Sequence, residues 1–137
     1  TKADSGHDEN ISFEQTLEIV DRDTAEKIRD LTLSVYGFAR EYGESRDIII
    51  ADTKFEFGHH DGEIILIDEI LSPDSSRFWD RKLYAPGRSQ DSFDKQFVRD
   101  YLTTLDWDKT PPAPALPDDI VQRTLSKYSE ARDRLIG

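Results

Sequence analysis

Apolar residues recur at helical spacing through residues 24–42. Ile28, Leu31, Val35, Phe38 and Tyr42 mark one face of a helix that packs on a core, and Gly43 reads as its C-terminal stop. Upstream, Ser12 and Gln15 have capping-box spacing and predict a short helix to about Val20, and Asp23 and Glu26 repeat that spacing. Residues 47–57, rich in Ile and Phe, predict a strand, and residues 63–71 predict another. Residues 72–91, with Pro73, Pro86, Gly87 and several serines, read as irregular. Ser92 is the expected cap of a helix lined inside by Phe93, Phe97, Val98, Tyr101, Leu102 and Leu105. TPPAPALPDD (110–119) reads as an extended, polyproline-like connector. A last helix follows, with Val121, Leu125, Tyr128, Ala131 and Leu135 facing in. The expected class is α+β: a β-hairpin or small antiparallel sheet packed by about four helices. Two strands alone make a poor sheet, so the hairpin calls for further strands that the pattern does not supply.

At 137 residues, with no internal repeat, the chain is read as a single domain, 1–137. Its net charge of −11 argues against a non-specific nucleic-acid binder. A small anionic ligand is still compatible wherever a few Lys and Arg converge, because the local field governs binding in a cleft. There is no cysteine, which removes disulfides and thiolate chemistry and fits the cytoplasm. No apolar run approaches a membrane span, and no signal peptide is expected. The opening TKADSGHDENIS, without Met, reads like the middle of a longer chain.

The chemistry lies in charges set among strand residues. Asp52, Lys54 and Glu56 alternate along the first strand and would share a face with Ile48 and Ile50. A three-residue turn, His60-Asp61-Gly62, would pair His59 with Glu63 and put Asp68 opposite Lys54, gathering all four charges on one face. A two-residue Asp61-Gly62 turn would send Asp68 to the other face. The first register is favoured because it partners every charge. Carboxylates on neighbouring strands suit a hard divalent cation such as Mg²⁺, and a lysine beside them suits a phosphate, which is the equipment of phosphoryl transfer. A salt-bridge ladder on an exposed sheet face uses the same residues.

The segment SPDSSRFWD then offers Ser75, Ser76, Arg77 and turn amides for a phosphate monoester, or simply a turn capped by its own Ser and Asp. Arg88, Lys95 and Arg99 follow; the last two share a helix side and either face the site or solvate the helix. His7, His59 and His60 lack helical metal spacing, and the His59-His60 pair belongs at an exposed hairpin tip. Trp79 and Trp107 read as core or rim packing.

ADTKFEFG, GEIILIDEILSPDSSRFW, SQDSFDKQFVRDYL and DKTPPAPALPDDIVQRT resemble the SAICAR synthetase family (phosphoribosylaminoimidazole-succinocarboxamide synthases) of purine biosynthesis. The likeness runs from Thr1 to Gly137, and LYAPGRSQDSFDKQF is similar to the longer, yeast-like branch, whose members tend to be monomeric. The resemblance implies a kinase-like, two-lobed ligase that uses ATP and Mg²⁺. Such a ligase joins L-aspartate to carboxyaminoimidazole ribonucleotide (CAIR) through an acyl phosphate. It implies that Glu56 and Asp68 hold magnesium, that Lys54 lies at the nucleotide and substrate phosphates, and that Asp52 lies near the substrate ribose or base. Asp74, Ser76 and Arg77 would hold the ribonucleotide, with Arg77 on its 5′-phosphate. Lys2 would lie near ATP, and Asp8 and Glu9 in an active-site loop. Arg88, Lys95 and Arg99 are further candidates for the nucleotide substrate. The glycine-rich N-terminal ATP lobe of the family has no counterpart in these residues. The chain is therefore expected to be the C-terminal catalytic lobe, partnered by an N-terminal half and inactive without it. A non-catalytic nucleotide-binding module and an acidic interaction domain are the alternative readings.

Overall fold

The structure is a computed structural model and describes residues 10–137. Four helices and four strands follow in the order α1 (Phe13–Ile19), α2 (Arg22–Ser45), β1 (Ile48–Thr53), β2 (Glu56–His60), β3 (Glu63–Ile67), β4 (Ser76–Asp80), α3 (Gln96–Thr103) and α4 (Asp118–Ile136). The α+β class holds. None of the described helices is long and apolar enough to cross a membrane.

Helix α1 starts where the capping box puts it. Ser12 Oγ accepts from Gln15 N (3.2 Å), and Gln15 Oε1 accepts from Ser12 N (2.9 Å). Helix α2 is capped by Asp21, which accepts from Thr24 N (2.9 Å), rather than by the Asp23/Glu26 spacing. It runs past Gly43 to Ser45. Gly43 is a buried helical residue, not a stop, because the helix passes β1 there: an added Cβ would stand 3.1 Å from Ile48 O and 3.3 Å from Ile50 Cγ1. Gly37, earlier in the same helix, would meet nothing within 4 Å. Gly43→Val is therefore expected to destabilise by about 1–3 kcal/mol through overpacking. Gly37→Ala is expected to stabilise by up to about 1 kcal/mol through helix propensity. Urea-unfolding midpoints should move in opposite directions.

The expected inner face of α2 is rotated, and that of α4 is met only in its C-terminal half, where Ala131 is buried and Leu135 packs against the core. Phe38 is 75% exposed and stacks on Tyr42 at the surface, while Ala25, Ala39 and Gly43 carry the buried stripe of α2. In α4, Val121 and Leu125 are exposed, and Ile120 and Ala131 are buried. In α2 the close passage over β1 leaves room only for a small residue at Gly43. The third helix begins at Gln96 rather than Ser92, and Phe93 is buried ahead of it.

The long first strand is broken at Lys54-Phe55 into β1 and β2. Strand β1 pairs antiparallel with β4, a strand in the segment expected to be irregular; β2 pairs with β3. The chain thus supplies the extra strand that its hairpin pattern called for, though as a separate two-stranded sheet. Ser92 extends it by a bridge to Trp79, and Phe93 N donates to Phe78 O (2.8 Å). Ala39, Ile48, Ile50, Phe78, Phe93 and Ala131 form the core between α2, this sheet and α4.

The β2–β3 turn has the two-residue register. His60 pairs with Glu63, and Asp61 (φ 50°) and Gly62 (φ 82°) both take positive φ, as a type I′ turn requires. The expected His59–Glu63 pairing, and with it Asp68 opposite Lys54, is therefore overturned. Asp-Gly turn chemistry fixes the register, and exposed charges need no cross-strand partner. His59 and His60 are exposed at the tip, as expected.

Candidate active site

Asp52, Lys54 and Glu56 do not share a strand face: the strand breaks at Lys54-Phe55, and a bulge in β1 also parts Asp52 from Ile48 and Ile50. Ile48 pairs with Asp80, Ile49 with Trp79 and Ile50 with Phe78, but Asp52 pairs with Arg77, so Ala51 is the extra residue. A bulge shifts the side-chain phase by one. Ile48 and Ile50 stay with the core, and Asp52 emerges beside Arg77. Strand β4 alternates cleanly, with Ser76, Phe78 and Asp80 buried and Arg77 exposed.

Arg77 and Asp52 form a two-pronged pair: Nε donates to Oδ1 (2.8 Å) and Nη2 to Oδ2 (2.6 Å). The Arg77 hydrogen bonds are the main reason that the Asp52 carboxyl is held below its ordinary range, with burial opposing them. Asp52 in turn raises the guanidinium. Only two of the five Arg77 donors are used by Asp52.

Asp52 and Arg77 open onto a cavity of about 340 Å³, lined also by Asp74, Ser75, Lys95 and Arg99. Ser76 reaches its wall but is 5% exposed, and its hydroxyl donates to Thr53 Oγ1 (2.8 Å), so it ties β4 to β1. Lys95 Nζ stands 3.9 Å from Asp74 Oδ1, and Arg99 Nη1 donates to Gln96 Oε1 (2.6 Å). A second cavity, about 210 Å³, shares Asp74 and Ser75 with the first and is lined by Lys54, Glu56, Asp68 and Glu69. A third, about 220 Å³, shares Arg77 and Asp94 with the first and holds Arg88, Gln90 and Trp79. Shared walls make the three one trough.

Lys54, Glu56 and Asp68 therefore meet, by a route different from the expected one. Lys54 Nζ lies 2.8 Å from Glu56 Oε1 across the strand break. Asp68 follows Ile67, the cross-strand partner of Glu56, in a left-handed conformation (φ 64°). Asp52 is in the neighbouring cavity instead of on a common face with them. Arg88 lies in the third cavity, and its guanidinium donates to Leu83 O. Lys2, Asp8 and Glu9 lie outside the described residues.

Asp94 is a wall residue that sequence reasoning missed. It is 3% exposed, accepts from Gln96 N (2.7 Å) and from Ser92 Oγ, and borders two of the three cavities. Its signal was an Asp two residues before the helix start, obscured by placing the cap at Ser92. Trp79 is partly buried at the rim and stacks on Tyr84 (5.8 Å between centroids).

Among the described residues no three metal-ligating side chains converge as a ready cage. Glu56 and Asp68 nevertheless line one cavity with Lys54. A pair of carboxylates is a fitting donor set for Mg²⁺, which completes its shell with water and nucleotide phosphates.

An α+β scaffold with a trough of carboxylates, lysines and guanidinium groups is suited to anionic, phosphate-bearing ligands. The SAICAR synthetase family model matches residues 1–114, and the chain belongs to that family. Phosphoribosylaminoimidazole-succinocarboxamide synthases of Geobacter sulfurreducens and Desulfosudis oleivorans are 59% and 61% identical to it. Both alignments cover all of this chain and 47% of the relative. The chain thus spans about half the length of these relatives. Among solved structures, the Saccharomyces cerevisiae SAICAR synthase complexed with SAICAR superposes with a TM-score of 0.84 at 48% identity, over 93% of this chain and 43% of that one. A SAICAR synthetase in complex with ADP gives 0.67 at 29% identity, over 96% of this chain and 46% of the other.

Proposed function

We propose that the chain is the C-terminal catalytic lobe of a monomeric, cytoplasmic SAICAR synthetase. It would join L-aspartate to CAIR at the expense of ATP, giving SAICAR, ADP and phosphate, once an N-terminal ATP lobe completes the site. The observation that carries this reading is the trough. Lys54, Glu56 and Asp68 lie in a cavity that adjoins, through Asp74 and Ser75, the cavity of Asp52, Arg77, Lys95 and Arg99. A phosphoryl donor and a phosphorylated acceptor could lie end to end there. The relatives solved with SAICAR and with ADP support the same pair of ligands.

In this reading the γ-phosphoryl group of ATP passes to a carboxylate oxygen of CAIR, releasing ADP and forming an acyl phosphate. The aspartate amine then attacks the acyl carbon, phosphate leaves with the C–O bond electrons, and the amine gives up a proton. Lys54 offsets charge at the transferring group, and Arg77 holds the ribonucleotide phosphate, with Lys95 and Arg99 nearby. Asp52 and Asp74 orient the same substrate, and Ser76 braces the wall. Lys2 would assist at ATP, Asp8 and Glu9 beside the substrate, and Arg88 at the far end. Glu56 and Asp68 would hold Mg²⁺, which supplies charge neutralisation on the nucleotide phosphates. Positioning and electrostatics suffice, with no covalent nucleophile.

The test is ADP release by the complete protein, which should require both CAIR and aspartate. Glu56→Gln and Asp68→Asn should each lower kcat by about 10²–10³-fold, in the range of losing one electrostatic stabiliser. Each should also raise the Mg²⁺ concentration needed for half-maximal rate. Release of ADP without dependence on CAIR, or full turnover by both variants, would overturn the assignment.

A further inference from the structure

Asp74 sits where the first and second cavities meet, on a turn, with a side chain that is 58% exposed. Its backbone is fixed by Ser72, whose Oγ accepts from Asp74 N (3.3 Å). A carboxylate on such a turn rotates freely about χ2 unless something holds it. What holds it comes from the other end of the chain: Tyr128 of α4 donates its hydroxyl to Asp74 Oδ1 (3.3 Å). Lys95 Nζ lies 3.9 Å from the same oxygen. Oδ2 has no hydrogen-bond partner among the described residues.

We infer that Tyr128 is a positioning residue: its hydroxyl fixes the Asp74 carboxylate by Oδ1, so that Oδ2 is presented to a hydroxyl of the ribonucleotide at the junction of the two cavities. This rests on the function proposed above. Tyr128 is partly buried on α4, so its ring is set by packing before any ligand arrives. Burial and then the charge of Asp74 push its phenol above the ordinary range, which keeps it a donor at every working pH. Helix α4 would thereby be coupled to substrate binding, not only to the core through Ala131.

The test uses the complete enzyme with Tyr128→Phe, Asp74→Asn and the double variant. Tyr128→Phe keeps the ring and removes only the hydroxyl. It should raise KM for CAIR roughly tenfold, about what one hydrogen bond to a charged group is worth. kcat, KM for ATP and the melting temperature should stay as in the wild type. The double variant should be no worse than Asp74→Asn alone, because the hydroxyl acts through that carboxylate. A purely packing role would instead lower the melting temperature and leave the KM for CAIR in place. An unchanged KM in Tyr128→Phe, or full additivity in the double variant, would overturn the inference while Asp74→Asn still raises KM. If Asp74→Asn itself leaves KM unchanged, or the wild type does not turn over CAIR, the failure lies in the proposed function.

Discussion

On the proposed function, Arg77→Met in the complete protein is expected to cut kcat/KM for the ribonucleotide by about a thousandfold, roughly 4 kcal/mol. Hydrogen bonds to charged groups contribute about 1.5–3 kcal/mol each, and this guanidinium has three donors left, enough for two such bonds to a phosphate. The two donors it gives to Asp52 keep the fork in one plane, so the remaining ones are aimed before a ligand binds. The variant also leaves Asp52 without its cation, and that carboxyl should return toward its ordinary range, since Arg77 is the main cause of its depression. Lysine should rescue only part of the loss, because a point charge cannot serve Asp52 and a phosphate in the same fixed geometry. The loss should appear in KM for the ribonucleotide, with KM for ATP nearly constant. Unchanged KM values would remove Arg77 from the binding site.

The second large effect concerns the opposite face of the same strand. Asp80 is 7% exposed on the core side of β4, across from Ile48. Arg134 of α4 donates to its Oδ2 (2.8 Å), and Lys82 N donates to Oδ1 (2.8 Å). Arg134 also lies over the Phe93 ring, 4.8 Å from its centroid. Arg134→Met should destabilise by about 3–5 kcal/mol, because it strands a buried carboxylate. Adding Asp80→Leu should recover much of that loss, because an apolar pair has no charge to desolvate. Urea unfolding of the three proteins measures both steps, and additive losses would mean that the two groups do not act as a pair. The pH dependence has a definite sign. Burial, the largest single influence, pushes the Asp80 carboxyl up, but the bonds from Arg134 and from backbone amides together hold it below its ordinary value of 3.8. The folded state therefore binds that proton less readily than the unfolded chain. The stabilisation is complete above about 3.8 and is lost as pH falls through the lower folded value. Arg134→Met should flatten that acid limb.

The residues of the trough were legible in the sequence more fully than their arrangement was. Local signals worked where the cause was local. The Ser12 capping box, the proline connector and the exposed His59-His60 tip needed no knowledge of the rest of the chain. Strand β4 was hidden because SSRFWD lies between prolines and serines, and its pairing with β1 is a contact across 25 residues or so of sequence. The register went wrong through a preference for partnering charges, which has force only in a core; Lys54, Glu56 and Asp68 are near enough to water that Asp61-Gly62 could set the turn. Helical spacing alone points Phe38 inward, yet the close passage of α2 over β1 at Gly43 turns Ala25, Ala39 and Gly43 to the core and leaves Phe38 at the surface. Asp94 and Tyr128 acquire meaning only once α3 and α4 stand beside the turn at Asp74.

The extra residue at Ala51 has a consequence for how this strand can change over time. A regular strand with isoleucines at 48 and 50 would commit position 52 to the hydrophobic side, and each demand of packing would then fall on the residue that holds Arg77. The inserted residue breaks that phase relation. The first half of β1 answers to the interior and the second to the ligand trough, so either half is free to drift without dragging the other. Core and trough share one strand while remaining separately adjustable.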